Sequence, residues 1–170
     1  MRMSKPTVYL LDSNIFIQAK NQYYHFDIAP GFWDALKVIA DEGSIISIDR
    51  VRDELINAKD ELAEWVSDNL NGAFHSTRDE AVYKKYQELQ AWARDEKQYS
   101  QPAIHEFARA ENADPWVVAF ALAYGCTLVT HESYDPNIRK KIPIPNVGRA
   151  FGLKTINTFT MLRQLGVKLN

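Results

Sequence analysis

The 170-residue chain has ordinary globular usage, with 46% hydrophobic and 25% charged residues, which excludes a disordered or fibrous protein. Its sequence offers neither an apolar targeting core nor an uninterrupted membrane-spanning segment. We therefore expect a single domain over residues 1–170, a cytoplasmic location without membrane contact, and a buried, unreactive Cys126.

The charge is unevenly distributed along the chain. The net charge is −2, yet residues 136–170 contain seven Lys or Arg and no Asp or Glu. The first 135 residues carry 13 basic and 22 acidic side chains. A basic segment of this kind is typical of a polyanion-binding surface, and equally of a solvated surface that balances acidic helices elsewhere.

Four short apolar runs, rich in β-branched residues, are predicted to be strands. They span residues 7–11, 44–48, 127–130 and 153–156, and helix-type sequence separates them. Runs that are apolar throughout indicate strands covered on both faces, as in a parallel sheet flanked by helices. The fold class is therefore α/β, with a four- or five-stranded parallel sheet.

The intervening segments carry helical periodicity and end signals. Helices are predicted over residues 30–42, 50–59, 60–69, 78–99, 102–110, 114–124 and 158–166, with Asp49 as the cap of the second and Asn157 as the cap of the last. In "ADPWVVAFALAYG", Asp114 is predicted as the N-cap, Pro115 as the first helical residue and Gly125 as the residue past the end. This helix is apolar all round and should be central. Residues 131–152, with three prolines, are predicted to be a loop.

Acidic residues follow several of the predicted strands. Asp12 comes directly after the first strand, and Glu132 lies two residues beyond Thr130. Asp114 opens the central helix, and Glu54 lies on the helix after the second strand. Because ligands bind beyond the carboxyl ends of parallel strands, these four acids should share one rim. Each also has a plain structural explanation, as a helix cap for Asp12 and Asp114 or a solvated charge for Glu54 and Glu132.

Four carboxylates in one place repel each other unless cations or protons neutralise them. Mg²⁺ or Mn²⁺, which prefer oxygen ligands and retain water, are the natural neutralisers. One or two such ions could generate a hydroxide nucleophile and stabilise the leaving oxygen in phosphodiester cleavage. Asn14 stands where a haloacid-dehalogenase phosphatase needs a second Asp, nucleotide-binding glycine motifs are missing, and the histidines lack zinc-ligand spacing.

The segments "YLLDSNIFI", "VRDEL" and "DPWVVAFALAYGCTLVTHE" resemble the PIN-domain superfamily, which includes the VapC-like toxin nucleases of bacterial toxin–antitoxin pairs. The resemblance spans residues 7–132. It implies a Rossmann-like PIN fold, here with a helical insertion, and Mg²⁺- or Mn²⁺-dependent cleavage of RNA. It maps the catalytic, metal-binding site onto Asp12, Glu54, Asp114 and Glu132, with Ser13, Asn14 and Thr130 in supporting positions.

The chain departs from the family pattern in ways that suggest a divergent branch. The last acid is more often Asp, so Glu132 could bind metal through water or not at all, and Asp135 is a candidate substitute. The aromatic segment at residues 19–33 and the Pro-rich segment after Glu132 are also atypical of the compact toxins.

Several residues are candidates for contact with RNA or a protein partner. The basic candidates are Lys20, Arg50, Arg139, Lys140, Lys141 and Arg149, and the aromatic candidates for base stacking are Tyr23, Tyr24 and Phe26. The helices over residues 60–110 offer apolar stripes to an antitoxin or to a second copy of the chain. The alternative to a nuclease is a non-catalytic nucleic-acid-binding or protein-interaction module on the same fold.

Overall fold

The computed structural model describes residues 3–169 and is built around a five-stranded parallel sheet. The strands are β1 (Tyr9–Leu11), β2 (Ile45–Ile48), β3 (Phe74–His75), β4 (Thr127–Val129) and β5 (Thr155–Ile156). They lie in the order β3-β2-β1-β4-β5, and every neighbouring pair is parallel. The predicted α/β class is confirmed.

Helices connect and cover the strands. They are α1 (Ser13–Gln18), α2 (Pro30–Asp41), α3 (Asp49–Asn57), α4 (Glu61–Asn69), α5 (Glu80–Asp95), α6 (Gln101–Phe107), α7 (Asp114–Tyr124), α8 (Ile144–Ala150) and α9 (Thr158–Gln164). A π-helical turn (Ala19–Tyr23) follows α1, and a 3₁₀ turn (Asn71–Ala73) precedes β3. Within residues 3–169, no helix is both long and apolar enough to cross a membrane.

The core lies at the centre of the sheet and around α7. All of β1 is buried, and α7 is buried from Pro115 to Ala121. This helix ends at Gly125, whose φ of 71° is a left-handed conformation that glycine adopts without steric cost. Cys126 is buried, as expected. The prediction of a central apolar helix is confirmed.

The structure corrects the predicted loop at residues 131–152 and the predicted cap of α7, and it adds a short strand. Helix α8 lies inside the segment predicted as a loop, with Pro143 as its N-cap and Pro145 in its first turn, where proline's missing N–H costs nothing. Asp114 is the first residue of α7 and not its N-cap; the Asn112 Oδ1 accepts its N–H at 3.0 Å. The sequence did not locate β3, which is two residues long and pairs with β2.

Asp49 joins α3 to the segment after β3. It is the first residue of α3 and not, as predicted, the N-cap before it, and its Oδ1 accepts the Arg50 N–H at 2.8 Å. The same carboxylate accepts the backbone N–H of Thr77 at 3.0 Å and the Thr77 hydroxyl at 2.8 Å. Thr77 is buried. These bonds hold the edge of the sheet against the helix that carries Glu54.

Replacing Asp49 should destabilise the fold. Asp49→Ala removes the acceptor and leaves the Thr77 N–H and hydroxyl without their partner, so we expect a loss of about 1–3 kcal/mol in the free energy of unfolding. Asp53→Ala on the same helix is the control, because the Asp53 side chain is 69% exposed and should change stability by less than about 0.5 kcal/mol. Urea denaturation of both variants measures the difference; equal effects would contradict the assigned role of Asp49.

Candidate acidic cleft

An acidic cleft opens at the carboxyl end of the sheet. The strand order reverses between β1 and β4, and such a switch point is where ligands bind in open α/β sheets. The cleft has a volume of about 550 Å³. Its charged lining residues are Asp12, Glu54, Glu106, Glu111, Asp114, Glu132, Lys140 and Lys141. The structure thus brings the four predicted acids together in one cavity.

Asp12 is fixed at the junction of the two central strands. Its backbone N–H donates to the Val129 carbonyl at 3.1 Å, which extends the pairing of β1 with β4. Its Oδ1 accepts the Ser13 N–H at 2.8 Å, which caps α1, and its Oδ2 accepts the Thr130 hydroxyl at 3.1 Å. The residue is only 2% exposed. The carboxylate therefore has one defined orientation.

The polar residues predicted to support the site form a network across the strand ends. Asn14 Nδ2 donates to the Thr130 hydroxyl oxygen at 3.3 Å, and Asn14 Oδ1 accepts the His131 N–H at 3.2 Å. The Glu132 N–H also donates to the Thr130 hydroxyl oxygen, at 3.2 Å. Asn14 and Thr130 thereby hold the chain after β4 against the start of α1, whereas Ser13 contributes its backbone N–H.

Two hydrogen-bond donors of the segment that follows hold the Glu132 carboxylate. Its Oε1 lies 2.6 Å from the Lys141 ammonium, and its Oε2 accepts the backbone N–H of Ile144 at 2.8 Å. Its side chain is 15% exposed. Asp135, the candidate substitute, lies outside the cleft lining and accepts the N–H of Asn137 within its own loop. Glu132 is therefore the acid of this segment that faces the cleft.

The two central acids are held in an environment that disfavours their charge. Burial raises the pKa of Asp114 to about 7, and the charge of Glu132 adds to this rise, while Lys141 opposes it. Glu54 contributes a smaller repulsion to the same group. Burial, followed by the charges of Asp114 and Glu132, also raises the pKa of Asp12 well above its ordinary value. The bonds that Asp12 accepts oppose its rise without cancelling it.

Lys141 is the cation that partly neutralises these acids. Burial lowers its pKa, but the bond to Glu132 and the negative charges of Glu132, Asp114 and Asp12 outweigh this and leave the pKa raised. Lys141 is therefore fully charged at neutral pH. It compensates Glu132 directly and the central acids only in part.

The donor chemistry suits a hard divalent cation. The acids offer only oxygen atoms, and the raised pKa of Asp114 and Asp12 indicates negative charge without sufficient compensation. Within residues 3–169, no three His, Cys, Asp or Glu side chains form an assembled metal-binding group. The residues thus fit an ion that keeps much of its water, as Mg²⁺ does, with Asp12 and Asp114 as the candidate ligands.

The predicted basic residues do not all face the cleft. Lys140 and Lys141 line it. Lys20 pairs with Asp60 at 2.7 Å, Arg50 stacks on the Trp116 ring at 3.9 Å, and Arg149 lies over the Tyr134 ring at 4.5 Å. Arg139 is exposed and its carbonyl accepts the Ser100 N–H.

Two acidic residues that line the cleft were not predicted from the sequence. Glu106, in α6, and Glu111, in the approach to α7, both line the cavity. Glu106 adds to the raised pKa of Asp114 and pairs with Arg109 at 3.0 Å. An exposed helical Glu with an Arg three residues later is an ordinary surface pair, so no sequence signal distinguishes it.

Comparisons with known proteins agree with this fold. A model of the family described as "Domain of unknown function (DUF4411)" matches residues 9–169. No curated protein sequence gives a significant match. A chain of the crystal structure of VapBC2 from Rickettsia felis, bound to a DNA fragment from their promoter, is similar over 89% of this chain and 98% of that chain, with a TM-score of 0.52 and 18% identity. The predicted PIN-type fold is confirmed.

The stability of the metal-free protein should depend on the charge of Asp114. Folded Asp114 keeps its proton up to a pKa of about 7, whereas the unfolded chain loses it near 3.8. Between these values the folded state binds more protons, so this residue's contribution to stability falls as the pH rises from 4 to 7. Asp114→Asn should therefore gain at least about 1 kcal/mol over the wild type on going from pH 4 to pH 8.

Urea denaturation in EDTA across this pH range measures the gain. Asp53→Asn, which changes an exposed carboxylate outside the cleft, should follow the wild-type curve. A constant difference between Asp114→Asn and the wild type at every pH would show that the Asp114 carboxyl titrates normally in the fold.

Proposed function

We propose that this chain, which belongs to the DUF4411 family, is a metal-dependent endoribonuclease that hydrolyses RNA phosphodiester bonds. The family's description assigns no activity, so the proposal rests on the acidic cleft. One observation carries it: two carboxyl groups with raised pKa values, Asp12 and Asp114, line the same cavity at the switch point of the sheet.

An RNA strand alone does not suit this cavity, because its phosphates and the acids carry the same charge. A divalent ion resolves the conflict. Asp12 and Asp114 would hold Mg²⁺ or Mn²⁺, and Glu54 and Glu132, which line the same cleft, would bind its water ligands. Such an ion, when bound, supplies Lewis-acid chemistry: it makes water a stronger nucleophile and neutralises charge on the phosphate.

The residues of the chain have separate tasks in this proposal. The Ser13 N–H and the Thr130 hydroxyl orient the Asp12 carboxylate. Glu132 positions the Lys141 ammonium, and Lys140 and Lys141 hold phosphate oxygens at the basic side of the cleft. The other predicted basic residues lie outside the cleft and would contact only phosphates farther along the RNA.

We further propose that the protein is the toxin of a toxin–antitoxin pair. The fold similarity to a chain of a VapBC2 complex supports this, although at 18% identity it bears on the fold alone. An antitoxin protein is then the expected partner, and a homodimer is the second. The helices of residues 60–110 remain the proposed surface for either, and Tyr83 on α5 is 54% exposed there.

A non-catalytic RNA-binding module is the second candidate. The absence of an assembled metal-binding group within residues 3–169 favours it, as does the pairing of Glu132 with Lys141. The retained Asp12 and Asp114 argue against it, since anionic groups at a phosphate site weaken RNA binding unless a cation is present. The two candidates differ in whether divalent metal binds and turnover follows.

Asn replacements of the two central acids should abolish cleavage while preserving the fold. Asp12→Asn and Asp114→Asn keep the side-chain shape and remove a metal-binding charge, so we expect more than about 100-fold slower cleavage of mixed single-stranded RNA with Mg²⁺ or Mn²⁺. Asp53→Asn is the control and should retain wild-type rates. EDTA should stop the wild type, and Mn²⁺ should raise its melting temperature but not that of Asp114→Asn.

Full activity in both variants would remove these residues from the mechanism. Wild-type RNA binding without metal-dependent cleavage, and without a Mn²⁺ effect on melting, would favour the binding module instead.

Replacing Lys141 should weaken RNA binding in a salt-dependent way. Lys141→Gln removes one phosphate contact, so the slope of log affinity against log salt should fall by roughly 0.7 for single-stranded RNA. Lys37→Gln, on an exposed pair with Asp41 outside the cleft, is the control. Fluorescence anisotropy at several salt concentrations measures the slopes; an unchanged slope for Lys141→Gln would show that this ammonium does not contact the strand.

A further inference from the structure

A second groove lies beside the acidic cleft and is lined by aromatic rings. Its volume is about 530 Å³, and its aromatic lining residues are Tyr23, His131, Tyr134 and Phe159. The groove and the cleft share Glu132, and the groove also includes Thr130, whose hydroxyl binds Asp12. A strand lying in the cleft can therefore continue directly into the groove.

Three of these rings meet at one point. The Tyr23 ring centroid lies 5.5 Å from that of His131 and 5.4 Å from that of Phe159. Tyr23 is nevertheless 46% exposed, so much of its surface is open. The Tyr23 ring lies at 86° to that of Phe159 and at 37° to that of His131. An aromatic ring that is partly open in this way is what unpaired bases stack on.

The neighbouring aromatic candidates have a different role. Tyr24 stacks on Phe32 at 4.2 Å with nearly parallel rings, and its carbonyl accepts the Trp33 indole N–H at 2.7 Å. Phe26 stacks on Trp33 at 4.2 Å. Both therefore belong to the packing of α2. Of the three aromatic residues predicted to stack on bases, only Tyr23 lines the groove.

The groove is built on fixed elements. Tyr23 ends the π-helical turn, which is closed by the Tyr24 N–H donating to the Ala19 carbonyl at 2.7 Å. The His131 ring lies 3.0 Å through Nε2 from the Thr158 hydroxyl, and its backbone N–H donates to Asn14. The His131 backbone is thus bonded to the Asn14–Thr130 network that also orients Asp12.

Charge also suits a nucleic-acid strand here. The acid of this groove, Glu132, is bound by the Lys141 ammonium and the Ile144 N–H, so it repels a phosphate only weakly. At the rim, the Arg149 guanidinium lies 4.5 Å from the centre of the Tyr134 ring and supplies a positive charge. The polar residues Ser133, Asn157 and Thr160 also line the groove and offer hydrogen-bonding groups for a base edge.

We propose that this groove is a nucleobase-binding subsite, in which an unpaired RNA base next to the phosphate in the acidic cleft stacks on Tyr23. The proposal rests on the proposed ribonuclease function for the placement of the strand. It adds a site of specificity: the groove selects for a single-stranded nucleotide beside the scissile bond, since a paired base cannot enter it.

The test compares variants in RNA binding and in cleavage. Tyr23→Ala should weaken binding of a fluorescent single-stranded RNA by about tenfold, because base stacking on one aromatic side chain is worth about that much. Tyr23→Phe keeps the ring and should bind as the wild type does. Tyr124→Ala is the control, because Tyr124 at the end of α7 is a tyrosine of similar exposure, 53% against 46% for Tyr23, and lies outside both cavities. Anisotropy is measured with Ca²⁺ in place of Mg²⁺.

A second measurement uses RNA in which one base at a time is removed. One abasic position should weaken wild-type binding by about the same factor, and Tyr23→Ala should be insensitive to that position. This arm uses wild-type protein first, so it decides the question even if Tyr23→Ala proves unstable.

The outcomes separate this proposal from the ribonuclease function. Loss of binding in Tyr23→Ala without any metal-dependent cleavage by the wild type would keep the subsite and overturn the nuclease. Cleavage that depends on Asp12 and Asp114, with unchanged binding by Tyr23→Ala and no sensitive abasic position, would overturn the subsite and keep the nuclease. Equal losses in Tyr23→Ala and Tyr124→Ala would also overturn the subsite.

Discussion

The buried Asp12 carboxylate is the constraint on which this end of the molecule depends. It accepts one hydrogen bond from the start of α1 and one from Thr130, so it joins the carboxyl ends of the two central strands. A buried charge is costly unless it is paired, and neither partner of Asp12 is a cation. The fold therefore maintains an electrostatically unfavourable arrangement at the point where the strand order of the sheet reverses, and such arrangements are typical of functional sites.

The cost of burying the Asp12 carboxylate also bears on the charged residues around it. Asp114 adds a second carboxyl group to the cavity, and its charge adds to the raised pKa of Asp12. Lys141 relieves the outer acid, Glu132, but its attraction only partly offsets the rise at Asp114. Helix α7 carries Asp114 as its first residue and is buried from Pro115 to Ala121, so the packing of this helix fixes the backbone of Asp114 at the cleft. A mobile cation is the simplest remaining source of compensation.

The sequence predicted this cleft because it follows from local rules combined with one topological rule. Asp12 comes directly after an apolar strand, Glu132 comes shortly after another, and parallel strands end at one edge. The predicted cap Asn157 is confirmed, since its side chain accepts the Thr160 N–H, in keeping with the local preference for Asn at this position.

The features that the sequence could not predict depend on distant contacts. Strand β3 has only two residues and is defined by its pairing with β2. It is too short to produce an apolar run from which it could be predicted. The prolines before α8 indicate a loop or a helix start equally well, and Glu132, which binds the Ile144 N–H, is 12 residues away. The positions of Lys20 and Arg50 away from the cleft are likewise set by partners, Asp60 and Trp116, that only the fold brings near.

The length of the Glu132 side chain connects the cleft with its surroundings. In the family pattern that the sequence resembles, the last acid is more often aspartate. The longer glutamate reaches two separate groups, the Lys141 ammonium with one oxygen and the Ile144 N–H with the other. It thereby fixes the basic segment beside the acids and the start of α8 with a single carboxylate. Glu132 also lines both the acidic cleft and the aromatic groove. The longer side chain at this position therefore borders both cavities.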